Sequence, residues 1–551
     1  MRELHFMIIF IEHIHHPRET IQIYHQNIKY ILFTMAKINL DALIQREDFE
    51  VQETINPGKK KETISIEDLK NDSFFFSNIR KPDFQRETNE WDAKKIADFI
   101  ESFLDGDLIP ALILWRSPSG YVFVIDGSHR LSSLHAWIND DYGDGEISKK
   151  FYDSVLPDDQ IQLGTAARKL ITKRIGSYKD FKLALESPEK VKPIIVQRAK
   201  NLSALAIQLQ WVEGDANKAE SSFFKINQQA APINKTELIL LESRKKPNCI
   251  AARAIIRSGK GHKYWSSFAP ENQTKVQDLA KEINSILFTP LYQIPIKTLD
   301  IPIGGKVYSA ATLPLILDFV NITNNIPDNF REQLPDDETG EATIRYLEGV
   351  RKIANKINSN HASSLGLHPI IYFYSHDGRH KVASFYATVS FIMDLEQNRQ
   401  YKKFITVREY FEAFLLKYDY IVQQIVRRYR SALASFPHIK DFYFEIIDQL
   451  NIPGNTIDQA AENLVKKETY RYLSLSTERE SIESKDFSPE RKSAIYITNA
   501  LSTAPKCGIC KGLIHRNSIS IDHKQRKQDG GLGTIDNGQL THPYCNTGIK
   551  N

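Results

Sequence analysis

The chain has 551 residues, 41% apolar and 25% charged, the composition of a soluble globular protein long enough for about three domains of ordinary size. Its formal charge of +4 is uneven: residues 501–551 hold seven Lys/Arg against three Asp, and the other 500 carry 65 of each sign, so only the C-terminal end has a net positive field for nucleic acid. Four cysteines, three of them within 39 residues of each other, exclude a disulfide framework and point to a metal in a reducing, cytoplasmic setting. The apolar run over residues 6–11 is far short of the roughly 18 that a membrane helix needs.

In chain order, residues 1–34 hold five His and show no clear period. They read as a doubtful or disordered extension ahead of a natural start at Met35, with His13, His15 and His16 a weak metal set. A polar linker ends at Lys59-Lys60-Lys61, and Thr63-Ile64-Ser65-Ile66 opens a compact mixed domain, bounded here as 35–245. Within it Ile96, Phe99, Ile100, Phe103 and Leu104 recur at the spacing of an amphipathic helix that stops near Gly106. Residues 111–115 and 121–125 read as strands joined by the turn Ser117-Pro118-Ser119-Gly120. A second helix is expected after Arg130, with Leu131, Leu134 and Trp137 on one face. The connection is Asp126-Gly127-Ser128-His129-Arg130. Asp-Gly after a strand makes a tight turn, the next N–H groups open a helix, and the arginine suits a phosphate or another anion; a plain surface turn is the alternative.

Residues 246–495 carry a mainly helical signal, clearest over 409–433, where Arg427, Arg428 and Arg430 form either a solvated or a DNA-facing surface. The polar run 474–488 reads as a linker into the last domain, 496–551. No Walker-type Gly-x4-Gly-Lys-Ser/Thr is visible, which argues against a P-loop ATPase.

That last domain carries the densest chemistry. Cys507-Gly508-Ile509-Cys510 is a turn able to aim two thiolates at one ion, and His542-Pro543-Tyr544-Cys545 offers a second pair, together a Cys3His zinc site with ligands about 2.0–2.3 Å from the metal. Between the pairs lie Asp522-His523 and Asn537, and Asn546 follows at once. Hydrolysis of a phosphodiester needs an activated water and a cation to stabilise developing charge. His523 can act as the base, and Asp522 and Asn546 offer the oxygen ligands that Mg2+ prefers. A structural zinc ribbon without catalysis is the bland reading.

These spacings resemble the zinc-stapled HNH nucleases, small ββα-metal modules. The resemblance implies that Asp522-His523 end a strand, that Asn537 fixes the loop orienting His523, and that Asn546 opens a short helix, with Mg2+ or Mn2+ at the reaction centre. It makes this a His-Asn-Asn variant. His542 stands where members more often have Cys, so it either ligates zinc or meets the substrate. The closing helix has barely one turn after Asn546, and a helix so short must be held by the zinc.

The front domain resembles the ParB-like (ParB/sulfiredoxin-like) N-terminal domain of the GmrSD modification-dependent restriction enzymes, through Phe84-Gln85-Arg86, Trp91, Asp126-Gly127-x-x-Arg130, Phe223-Phe224-x-x-Asn227 and Ile233-x-x-x-Glu237-Leu238. Ser128-His129 depart from the usual Gln-Gln. The resemblance implies nucleotide binding or hydrolysis around Arg86 and residues 126–130. The fold class expected is α+β multidomain: a ParB-like front, a helical middle and an HNH tail. The expected function is a Mg2+-dependent nicking endonuclease in restriction or anti-phage defence, acting on DNA under control of the front domain. A double-strand break then needs two nicks or a dimer. The rival is a nucleotide-gated DNA-binding regulator with an inactive HNH remnant.

Overall fold

The computed structural model describes residues 37–47, 59–307 and 312–549, apart from 83–84, 86–87, 153–155, 157, 231–234, 260–264 and 477–485. The extension over 1–34, Met35, Phe84, Arg86 and Ile233 lie outside the described residues, as do the side chains of Phe224, Asn227 and Glu237. The chain divides into two compact units, Met1–Leu241 and Glu242–Asn551.

The first unit is built on a mixed six-stranded sheet of β1 (Arg46–Glu47), β2 (Thr63–Ser65), β3 (Ile79–Pro82), β4 (Leu112–Arg116), β5 (Val122–Asp126) and β6 (Ala206–Val212), in the order β1-β3-β5-β4-β6-β2. The expected hairpin is β4–β5, antiparallel, with Trp115 opposite Phe123. β5 also pairs parallel to β3, and β4 parallel to β6. As the central strand, β5 is buried along Val122, Phe123, Val124 and Ile125, the continuous apolar run of a strand covered on both faces. Alternation sends Val122 and Val124 into the main core with the helix α1 (Ala93–Asp105), whose Ile96, Ile100, Phe103 and Leu104 form the predicted stripe. Phe123 and Ile125 pack on the opposite face with Trp115 and Phe223. Deleting a buried aliphatic such as Ile100 would cost about 2–5 kcal/mol.

The next helix, α2 (Ser128–Asn139), starts three residues earlier than expected. Gly127 makes this possible: it takes a left-handed φ of 100°, and a Cβ there would stand 2.3 Å from Leu112 Cδ2, so the strand turns into the helix without an intervening loop. A further helix, α3 (Ala216–Ala230), follows β6.

The second unit is a helical assembly that includes α4 (Thr312–Thr323), α5 (Glu341–Ile357), α6 (Val382–Gln397), α7 (Tyr401–Lys417), α8 (Asp419–Tyr429), α9 (Ala432–Leu450) and α10 (Pro489–Leu501). Phe391, Phe404, Phe411 and Tyr443 interlock at ring separations of 5.5–6.1 Å to fill its centre. The helical signal over 409–433 resolves into α7, α8 and the start of α9, with breaks at Tyr418 and at Arg430, where φ is 69°. The same unit contains a C-terminal antiparallel pair, β7 (Ser520–His523) and β8 (Gly538–Thr541). Among the described residues no helix is long and apolar enough to cross a membrane.

Candidate active site

Cys507, Cys510, His542 and Cys545 are all buried, and their ligand atoms lie within 4.8 Å of one another. The edge of a tetrahedral zinc–thiolate site is roughly 3.8 Å for bonds of about 2.3 Å, so a small closure completes the site and the donor set fits structural zinc. The knuckle turn places Lys511 at φ 60°, with its N–H on Cys507 O at 3.0 Å. The three buried thiols face one another and the His542 ring across one small space, the donor types that a structural zinc takes. The His542 ring is fixed by Nε2, which donates to Leu513 O at 2.9 Å. Its Nδ1 consequently faces Cys510 Sγ at 3.3 Å and Cys545 Sγ at 3.9 Å, the outer-shell arrangement of a metal-ligating histidine. Of the two roles left open for His542, this geometry fits the ligand.

The hairpin gathers the remaining residues. In its register Asp522 opposes Gln539 and His523 opposes Gly538, the last pair of the ladder. Asp522 is buried and accepts Gln539 Nε2 at 3.0 Å. Asn537 clasps the loop that follows His523: its Oδ1 accepts Gln525 N at 2.8 Å, its Nδ2 donates to Gln525 O at 3.2 Å and Leu532 O at 2.8 Å, and its carbonyl accepts Lys524 N at 2.7 Å. Asn546 donates Nδ2 to Ser520 Oγ at 2.7 Å and Ile521 O at 3.3 Å, tying the closing turn (Cys545–Ile549) to β7. Ser520 and Asp522 share one face of the strand, the face that Asn546 reaches. Consecutive residues of a pleated strand point to opposite sides; His523 is in the last pair of the ladder and Asp522 in the pair before it.

The closing turn has protein partners besides the zinc ligands, where the sequence suggested that zinc would have to hold it. Tyr544 N donates to Ser364 O at 2.9 Å, Thr547 Oγ1 donates to Ala362 O at 3.0 Å, and Tyr544 packs on Tyr401 at 5.4 Å. Beneath the knuckle Arg408 and Glu412 of α7 form a buried pair at 2.7 Å. Arg408 Nη1 reaches His542 Nδ1 at 3.2 Å, and Glu412 accepts Leu513 N at 3.0 Å. Sequence reading gave Gln539 and Ser520 no role and passed over Arg408 and Glu412. Cross-strand register would have exposed Gln539, but nothing in the sequence marks Arg408.

In the first unit Arg130 pairs with Asp126 at 2.6 Å and donates to the carbonyls of Pro110 and Ala111. It thereby latches the end of β5 to the segment entering β4. His129 accepts Glu90 N at 3.2 Å and stacks on Trp91 at 5.6 Å. Residues 126–130 and Trp91 thus come together at the start of α2.

A hairpin bearing a carboxylate, an imidazole and two carboxamides thus lies beside a Cys3His cluster able to hold a metal ion, on a helical support. Residues 507–551 match the family model of the HNH endonucleases, and residues 66–242 match that of the GmrSD restriction endonuclease N-terminal domain. The chain thus joins a GmrSD N-terminal domain to a C-terminal HNH endonuclease domain, and it is a nuclease. No curated protein and no solved structure matches the chain.

Proposed function

We propose that the chain is a restriction-type DNA endonuclease that nicks one strand at a time, with His523 as the general base. The observation that supports the reading is that Asp522 and His523 are the last two residues of β7, with Asn546 tethered to the same strand. His523 takes a proton from the attacking water, the water oxygen bonds to phosphorus, and the bond from phosphorus to the 3′ oxygen breaks. Asp522 and Asn546 would hold Mg2+ or Mn2+, Asn546 through Oδ1 because its Nδ2 is engaged on β7. When bound, that cation supplies charge stabilisation to the phosphoryl and leaving oxygens. Asn537 keeps the imidazole in place by closing the loop behind it, and the Cys3His zinc keeps the hairpin on its support.

The front unit, in this reading, has a ParB-like role: it senses a nucleotide or a DNA modification in restriction or anti-phage defence. Its support is the match over residues 66–242 and the turn at residues 126–130. Because Arg130 is engaged by Asp126, the first amides of α2, at Ser128 and His129, carry most of any anion binding.

Supercoiled plasmid with Mg2+, with and without each NTP, tests the proposal. His523→Ala should slow conversion to open circle by about 10²–10⁴-fold with zinc content unchanged. Undiminished nicking by His523→Ala refutes the base, and a gel shift by the native chain without cleavage favours a DNA-binding regulator.

A further inference from the structure

We infer that Gln539 is a positioning residue through which the zinc knuckle sets the Asp522 carboxylate, an inference that rests on the reading of Asp522 as a cation ligand. Gln539 lies directly across from Asp522 in the β7–β8 register, and its Nε2 donates to Asp522 Oδ2 at 3.0 Å. A neutral amide can orient the carboxylate without adding a charge that would compete with a cation.

The far side of the same amide rests on the knuckle. A Cβ built at Gly508, between the ligands Cys507 and Cys510, would stand 2.2 Å from Gln539 Oε1 and 2.8 Å from its Cδ. The residue at 508 therefore has to lack a side chain for the amide to lie where it does. Gly508 N also donates to Leu540 O at 2.8 Å, so knuckle and β8 are joined by backbone and side chain at adjacent positions. A continuous path results: zinc ligands, Gly508, the Gln539 amide, the Asp522 carboxylate. An ordinary cross-strand glutamine has no need of the seat at Gly508.

The test is Mn2+ binding to the full chain, followed by the electron paramagnetic resonance of free Mn2+, together with zinc content and melting temperature. Gln539→Ala and Gln539→Met should weaken Mn2+ binding by about 10–100-fold while zinc and melting stay near native values. Met keeps the bulk over Gly508 and loses only the amide, so a purely packing role predicts native affinity for it. Gly508→Ala should displace the amide and reproduce the loss, and in a Gln539→Ala background it should add nothing further. If Gly508→Ala instead sheds zinc, the two Gln539 variants still decide. Native Mn2+ affinity in both, where Asp522→Ala loses binding, overturns the inference and leaves the reading of Asp522 standing. Native affinity in Asp522→Ala removes that reading itself.

Discussion

Arg408 is fully buried and faces both Glu412 and the zinc-ligand cluster. Three thiolates around one Zn2+ would leave the cluster with a net negative charge, which the buried guanidinium would offset. Glu412 in turn accepts hydrogen bonds from Leu513 N and from Tyr372 Oη, the latter at 3.0 Å. Breaking such a pair strands a charge, so Arg408→Met should lower stability by about 3–5 kcal/mol and weaken zinc retention. Arg408→Met with Glu412→Gln should be less destabilised than Arg408→Met alone, because no buried charge is then orphaned. Urea unfolding of Arg408→Met, Glu412→Gln and the double variant decides it, and simple additivity would contradict the coupling. The Cys3His cluster was legible in the sequence because two close pairs of Cys and His have few other uses. Arg408 was not, since an arginine at helical spacing does not say which surface its helix meets.

Among the elements, α4 and α6 meet at Asp318 and Tyr386, where the tyrosine hydroxyl donates to Asp318 Oδ2 at 2.7 Å. Burial pushes the Asp318 carboxyl up to about 6, against the pull of that hydrogen bond. A folded-state value above that of the unfolded chain means that the folded form holds the proton more tightly. The stability it contributes is full below about pH 4 and is lost as pH rises through about 6. Asp318→Asn, neutral at every pH and still an acceptor for Tyr386, should therefore raise the urea midpoint at pH 8 and leave it nearly unchanged at pH 4. A midpoint raised at pH 4 and not at pH 8 would reverse the sign and refute the account. At this scale α1 was readable because its apolar period near 3.6 is unambiguous, and the β4–β5 hairpin because two short apolar runs flank the turn Ser117-Pro118-Ser119-Gly120. The breaks at Tyr418 and Arg430 were not, because the apolar spacing continues across them while the backbone changes direction. The start of α2 was misplaced because Gly127 does by its own conformation what a longer loop would otherwise do.

For the molecule as a whole, the order of parts was visible: a mixed front, a helical middle and a basic, metal-ligating end. What composition could not show is that residues 242–551 form one compact unit, with the nuclease hairpin built into the helices. The segment leading into the hairpin bonds residues of the helical region and its loops: His515 Nδ1 meets Asn358 Oδ1 at 3.1 Å, Ser518 Oγ meets Ser364 Oγ at 2.9 Å, and Leu513 N meets Glu412. Each group left buried without its partner costs about 1–3 kcal/mol, and a segment of this size has little apolar core to offset that. Expressed alone, residues 496–551 should therefore bind zinc poorly and melt without cooperativity. Residues 242–551 should hold one zinc per chain, unfold in a single transition and nick plasmid in Mg2+ without the front unit. Zinc analysis, calorimetry and the plasmid assay on both fragments test this. A short fragment that held zinc and melted as sharply as the long one would show that the helices merely carry the hairpin, and that the contacts through Arg408, Ser364 and Asn358 contribute little to its fold.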